Sequence, residues 1–238
     1  MLKDYLAVDI ETTGLNPKTD RIIEIGAVRV RNGEIAGSRD WLINPRCSLP
    51  EFVVNLTGIT EAMLADAPVI DSVISEFVDF CGDDVLLGHH IITDYSFLKR
   101  NAVNRKIPFE KMGIDTLKPS RVIFADMEKK TLSFLCERLG IASERNHRAA
   151  DDALAAVRLY NLLAEKASGN EEWEKLLNPV QLVYTVKKEG PITAAQKRQL
   201  TGLLEHYGIS AGCDIDSLTR NEASRRIDNI ISLYGRIG

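Results

Sequence analysis

Four acidic side chains stand at positions where packing calls for apolar ones. Asp9 and Glu11 close the otherwise apolar run from Tyr5 to Glu11. Two positions apart on a strand, they project from one face, close enough to share a cation. Asp94 follows Thr93 at a helix start, and its neighbours three and four positions on are Phe97 and Leu98, which puts its carboxyl on the inward side. Asp152 opens a stripe continued by Ala156, Leu159 and Leu163. Asp151 falls on a different stripe, with Ala155, Arg158 and Leu162, and suits a surface or capping position. Asp152 is therefore the candidate of the two. Taken singly, these acids have plainer explanations, a strand end meeting solvent for Asp9 and Glu11 and a helix N-terminus for Asp94. Their convergence would be hard to sustain without a cation, because like charges resist shared burial.

His147 precedes Asp152 by five residues, which separates their faces if both are helical. In a loop Arg145-Asn146-His147 before the helix, the imidazole reaches over the same site. There it can deprotonate water without being a metal ligand. Hard oxygen donors suit Mg²⁺ or Mn²⁺, and the scarcity of nitrogen and sulfur donors argues against zinc. Cys47, Cys81, Cys136 and Cys213 lie far apart with no CxxC pair and read as free, packed thiols. Two divalent ions about 3.5 to 4 Å apart can stabilise both the attacking and the leaving oxygen of an in-line displacement at phosphorus. The chemistry indicated is phosphodiester hydrolysis.

The elements that must position these residues are legible as patterns. Tyr5 to Glu11 reads as a strand buried on both faces. Arg21 to Arg31 and Glu34 to Ile43 read as two more strands, joined by a tight turn at Asn32-Gly33. Helical spacing at Val69, Val73, Ile74, Phe77, Phe80 and Cys81 leads to a short strand, Val85 to Leu87, and a helix from Thr93. Gly113 to Thr116 is a fifth strand, and further helices follow, one between Thr131 and Gly140 and a long one from Ala149 to Ala167. The expected fold class is α/β, a mixed five-stranded sheet flanked by helices over residues 1–168. Residues 169–191 form a linker or docking segment, in which Val180 to Val186 has no firm assignment.

Residues 192–238 read as a small helical module. Thr193-x-x-Gln196 and Thr219-x-x-Glu222 are capping boxes, each opening an amphipathic helix. Eight basic against six acidic residues in 187–238 give the tail about +2, which leaves about -6 on the rest of a chain of net charge -4. So small a unit is marginal alone and is expected to dock on the main domain, on a protein or on nucleic acid. An acidic total does not exclude a nucleic-acid partner, since phosphate held through divalent cations needs an acidic centre. With 45% hydrophobic and 27% charged residues the chain is an ordinary globular one. No long apolar run or leader pattern is present, so a cytoplasmic protein without a membrane span is expected.

The motifs Asp9-Ile10-Glu11-Thr12-Thr13-Gly14-Leu15, Asp94 with Phe97-Leu98, and His147-Arg148-Ala149 followed by Asp152-Ala153 resemble those of DEDDh exonucleases, the group that includes the proofreading subunit of bacterial DNA polymerase III. Arg21 to Val28, Thr57 to Thr60, Leu87-Gly88-His89 and Asp115-Thr116-Leu117 match in the same order, over about residues 4 to 165. The resemblance implies a ribonuclease H-like fold, two Mg²⁺ or Mn²⁺ ions on Asp9, Glu11, Asp94 and Asp152, and His147 as general base. It also implies release of nucleoside 5′-monophosphates from a 3′ end. Glu11 and the Thr12 backbone would hold the 3′-hydroxyl and Leu15 would wedge against the terminal bases, with Thr13, Gly14, His89 and His147 completing the substrate contacts. A DNA polymerase or repair partner is implied in the same way.

The second motif departs from the family pattern His-Asn-x-x-Phe-Asp, reading His89-His90-Ile91-Ile92-Thr93-Asp94. The expected substrate is single-stranded or frayed DNA, with RNA or oligoribonucleotide hydrolysis as the alternative. A non-catalytic adaptor is a further alternative, weakened by the survival of all four acids. The tail is loosely similar to short helical segments appended to various bacterial proteins, a likeness that implies no activity.

Overall fold

The structure, a computed structural model, describes residues 1–142, 147–186 and 190–236. Its centre is a six-stranded mixed sheet of order β3-β2-β1-β4-β5-β6. The strands are β1 (Tyr5–Thr12), β2 (Ile22–Arg31), β3 (Glu34–Leu42), β4 (Leu86–Gly88), β5 (Met112–Asp115) and β6 (Val180–Gln181). β1 runs parallel to β4, and β4 to β5, while the β1–β2, β2–β3 and β5–β6 pairs are antiparallel. Asn32 and Gly33 take φ of 54° and 84° in the β2–β3 turn, the left-handed pair that a tight hairpin requires.

The helices are α1 (Glu51–Thr57), α2 (Glu61–Leu64), α3 (Ile70–Cys81), α4 (Ile92–Asn104), α5 (Leu117–Ile123), α6 (Leu132–Leu139), α7 (Ala149–Ala167), α8 (Glu171–Lys175), α9 (Ala194–Tyr207) and α10 (Arg220–Tyr234). Alternation along β1 feeds two cores. Tyr5 and Ala7 pack with Leu159, Tyr160 and Leu163 of α7, while Leu6 and Val8 pack with Phe77 of α3 and Phe97 and Leu98 of α4. β1 is thus the covered centre of the sheet, and its C-terminal end points at the first turn of α4 on one face and of α7 on the other.

The expected five strands gain a sixth, β6, of two residues. It forms because Leu182 N–H donates to Lys111 C=O at 2.9 Å and the Leu182 side chain fills the space above Gly113, so the segment after α8 is drawn onto the sheet edge. Both capping boxes of the tail are formed. Leu200, Leu203, Leu204, Leu218, Ala223 and Ile227 make a small core of their own between α9 and α10. This pair docks on the main sheet's loops. Arg21 reaches Ser217 at 3.3 Å and Glu222 at 3.7 Å, and Arg46 pairs with Asp214 at 3.6 Å. Among the described residues no helix is long and apolar enough to cross a membrane.

Candidate active site

Asp9 and Glu11 leave β1 on the α7 side, opposite Gly26 and Glu24 of β2 in the antiparallel register. Gly26 is required there by close approach. A Cβ on it would lie 2.1 Å from the carbonyl carbon of Ala149 and the nitrogen of Ala150, so the first turn of α7 rests directly on the β2 backbone. That contact brings Asp152, in the same turn, over the end of β1.

Glu24 sets the lateral position of the helix. It is fully buried, and both its oxygens are used: Arg148 Nε donates to Oε1 at 2.9 Å and to Oε2 at 3.2 Å, and the Ala149 N–H donates to Oε2 at 2.8 Å. One carboxylate therefore satisfies an N-terminal N–H of α7 and neutralises the residue that opens it. Asp40 of β3 stands 3.6 Å from the same guanidinium. Sequence reading passed over Glu24 and Arg148 as site residues. The available signal was a single acid within the apolar run of β2, but its partner lies far along the chain.

His147 directly precedes Arg148 with φ of 62°, a left-handed conformation uncommon for a residue with a Cβ. Its backbone N–H donates to Asp152 Oδ2 at 3.1 Å, which fixes the turn that carries the imidazole. Ligand atoms of Glu11, His147 and Asp152 all lie within 4.8 Å of one another. The imidazole therefore stands beside Glu11 and Asp152, at the edge of the acidic cluster. The expected loop partners Arg145 and Asn146 lie outside the described residues.

Asp94 enters from the opposite face. It is buried at the start of α4, where the backbone N–H groups of its own residue and of Ile10 act to lower its pKa. Burial pushes Asp94 up to about 8 despite those donors. Burial, reinforced by Asp94, Asp152, Glu11 and Glu24, holds Asp9 well above the usual carboxylate range. Glu11 is pushed to about 8 by burial and by the charges of Asp152, Glu24 and Asp94, against the opposing Arg148. Asp152 rises to about 6, chiefly through burial. Burial is the largest cause of the rise at each of the four acids, and at Asp9 and Glu11 the repulsion of the neighbouring carboxylates adds to it. A divalent cation answers that repulsion, and an all-oxygen set with one imidazole at its edge fits Mg²⁺ or Mn²⁺.

The segment after β1 forms a closed loop beside these acids. Thr13 N–H donates to Arg21 C=O at 2.8 Å, and Arg21 N–H donates back to Thr13 Oγ1 at 2.9 Å. Thr12 Oγ1 donates to Gly14 C=O at 2.6 Å, and a Cβ on Gly14 would meet the Asp20 carboxylate at 2.6 Å. Leu15 at the tip is 90% exposed, an apolar side chain held in solvent by a hydrogen-bonded loop.

His89, expected among the substrate contacts, has a protein partner at each ring nitrogen. Its Nε2 donates to Lys130 C=O at 2.6 Å, and its Nδ1 accepts from the Thr116 hydroxyl at 2.9 Å. Burial pushes its pKa down, which favours this neutral form. With both ring nitrogens engaged, His89 braces β4 against the loop before α6. His90, by contrast, is exposed with φ of 70°, its N–H held by Asp115 at 2.8 Å and its Nδ1 3.1 Å from Thr93 Oγ1.

Comparison with known proteins places this arrangement. Residues 6–160 match the family model described as Exonuclease, RNase_T. A PolC-type DNA polymerase III from Clostridium perfringens is 36% identical over 224 residues, 91% of this chain but 15% of the polymerase. That from Caldanaerobacter subterraneus is 36% identical over 163 residues, 68% of this chain and 12% of its own length. The chain therefore spans under a sixth of these relatives. Among solved structures, the nuclease domain of 3′hExo, a DEDDh family member bound to rAMP, superposes with TM-score 0.62 at 21% identity, covering 76% of this chain and 98% of that one. Exonuclease I of E. coli in complex with a dT13 oligonucleotide gives TM-score 0.62 at 16% identity, over 70% of this chain and 42% of that one. The sheet and its helices are thus a ribonuclease H-like fold of the exonuclease type, and the chain belongs to the exonuclease family whose model spans its acidic cluster.

Proposed function

We propose that this chain is a 3′→5′ exonuclease that hydrolyses the terminal phosphodiester of single-stranded or frayed DNA and releases nucleoside 5′-monophosphates. The observation that carries this reading is the meeting of Asp9, Glu11, Asp94 and Asp152 with His147 at the C-terminal end of β1, beside a loop that presents Leu15 to solvent. In this reading Asp9, Glu11, Asp94 and Asp152 hold two Mg²⁺ or Mn²⁺ ions. When bound, these ions supply positive charge for the phosphate oxygens as negative charge develops in the displacement.

The chain's own groups have separate tasks. His147 takes a proton from the attacking water, a role its place at the rim of the acid cluster allows. Glu11 and the Thr12 backbone accept and orient the terminal 3′-hydroxyl. The exposed Leu15 stacks against the terminal base, which holds the strand end apart from a complementary strand. Gly14 and Thr13 shape the loop that makes this contact, and Glu24 with Arg148 is a positioning pair that sets Asp152 and His147 against β1.

RNA is the second candidate substrate. The altered second motif favours it to this extent: His90 and Thr93, which bond to each other just before Asp94, stand where the family pattern has an amide and an aromatic ring. The likeness to PolC-type polymerases favours DNA and a polymerase or repair partner. Matched 5′-labelled DNA and RNA oligonucleotides with Mg²⁺ or Mn²⁺ separate these readings. The expected result is a ladder shortening from the 3′ end of DNA. His147→Ala should lower kcat by about 10²- to 10⁴-fold, the usual worth of a general base, and Asp152→Asn should abolish turnover. Activity undiminished in both variants would show that the chemistry lies elsewhere, and cleavage of RNA alone would overturn the DNA assignment.

A further inference from the structure

Away from the acidic cluster, Cys47 and Cys213 face one another across an isolated antiparallel bridge. The flanking residues carry its hydrogen bonds: Ser48 N–H donates to Gly212 C=O at 2.9 Å, and Asp214 N–H donates to Arg46 C=O at 3.1 Å. The two cysteines are therefore the non-hydrogen-bonded pair between these bonds. Cα atoms in such a pair stand about 4.5 Å apart and their side chains leave the same face. That spacing falls within the range of about 4.4 to 6.8 Å found in disulfides. The Arg46–Asp214 ion pair at 3.6 Å holds the crossing in register.

Both thiols are free and partly exposed, whereas Cys81 and Cys136 are buried. Cys47 belongs to the segment after β3. Cys213 follows α9 and packs against the small core of the tail. The bridge is thus a place where the backbone of the helical module meets the backbone of the exonuclease domain.

We propose that Cys47 and Cys213 form an oxidative modification site, a disulfide that joins the C-terminal module covalently to the exonuclease domain. The co-reactant is a low-molecular-weight disulfide. One cysteine thiolate attacks it, forming a mixed disulfide and releasing one small thiol; the other cysteine thiolate then attacks the protein sulfur of that mixed disulfide and displaces the second. The protein loses two protons and two electrons, and the small disulfide gains both. The bond fixes the module where Ser217 and Glu222 grip Arg21, whose backbone closes the loop at Thr13. The site does not depend on the substrate assigned above.

The test is to incubate the full chain with oxidised glutathione, block the remaining thiols, and measure intact mass and unreduced peptides. The expected product has lost two hydrogens, carries no glutathione, and yields one crosslinked peptide joining Cys47 to Cys213. Its Tm lies above that of the reduced chain, and dithiothreitol reverses both changes. Cys47→Ser and Cys213→Ser should each stop at the mixed disulfide on the remaining cysteine, with no rise in Tm. A wild-type chain that keeps all four thiols, that retains glutathione on either cysteine without a crosslink, or that links Cys81 or Cys136 instead, overturns the proposal.

Discussion

Arg148 and Glu24 show how much of the candidate site rests on side chains with no part in the proposed metal chemistry. Glu24 is completely enclosed, and its charge is answered by the Arg148 guanidinium and the Ala149 N–H. Removing Arg148 strands a buried carboxylate, a loss of about 3 to 5 kcal/mol where one member of a buried pair is deleted. Arg148→Met should therefore lower the unfolding free energy on that scale in urea titrations, and Arg148→Lys should recover only part of it, because a single ammonium cannot span both oxygens. An unchanged urea midpoint in Arg148→Met would show that the pair contributes nothing net. The acids themselves predict a pH response of definite sign. Asp9, Glu11 and Asp94 have carboxyls raised in the folded chain. Unfolded, they titrate near 4 on the ordinary scale, about four units below the folded value of about 8 for Glu11 and Asp94. Between those values the folded state binds more protons, so the stability they contribute is full below the unfolded pKa and is lost as pH rises through the folded one. The metal-free chain should accordingly show Tm falling from about pH 5 to about pH 8.5, with Asp9→Asn flattening the fall. A Tm that climbs over this range would contradict the raised values.

At the scale of elements, the junction of α7 with β2 decides where Asp152 lies. Gly26→Ala places a methyl 2.1 Å from backbone atoms of α7, which have no rotamer by which to retreat. Overpacking of this kind costs about 1 to 3 kcal/mol, and displacement of the first turn should also lower kcat. Gly37→Ala, on edge strand β3 with nothing near its missing Cβ, is the matched control and should be close to neutral in both thermal melts and turnover. Equal behaviour of the two variants would show that α7 is not seated by Gly26. The elements that carry the acids were legible because their patterns are long or punctuated: the apolar run of β1, the stripe of α7 from Asp152 to Leu163, and the two capping boxes of the tail. Other elements left too little signal. α1 and α2 have seven and four residues, too few for a helical period to stand out. β6 has two residues and owes its place to Gly113, a partner distant in sequence. The pairing of Glu24 with Arg148 is non-local in the same way, and periodicity cannot reveal it. The contacts of His89 with Thr116 and Lys130 are non-local too, and its motif gave no sign of them.

For the whole molecule, the fold supplies a convergence that no single element contains. β1 contributes two acids, α4 approaches the strand end from one face, and α7 approaches from the other with an acid and the histidine that precedes it. The helical tail docks on loops of the same domain through Arg21 and Arg46, so its contact reaches the base of the loop that displays Leu15. In the proposed function these acids act together on divalent ions. Direct titration of Mn²⁺ into the metal-free chain, followed by the loss of the free-ion electron paramagnetic resonance signal, tests it without recourse to catalysis. The account predicts uptake of two ions by the parent chain near neutral pH, with binding weakened at least tenfold by each of Asp9→Asn, Asp94→Asn and Asp152→Asn, a loss of about 1.4 kcal/mol or more. Binding that is left intact by all three substitutions, which lie on three different elements, would contradict it.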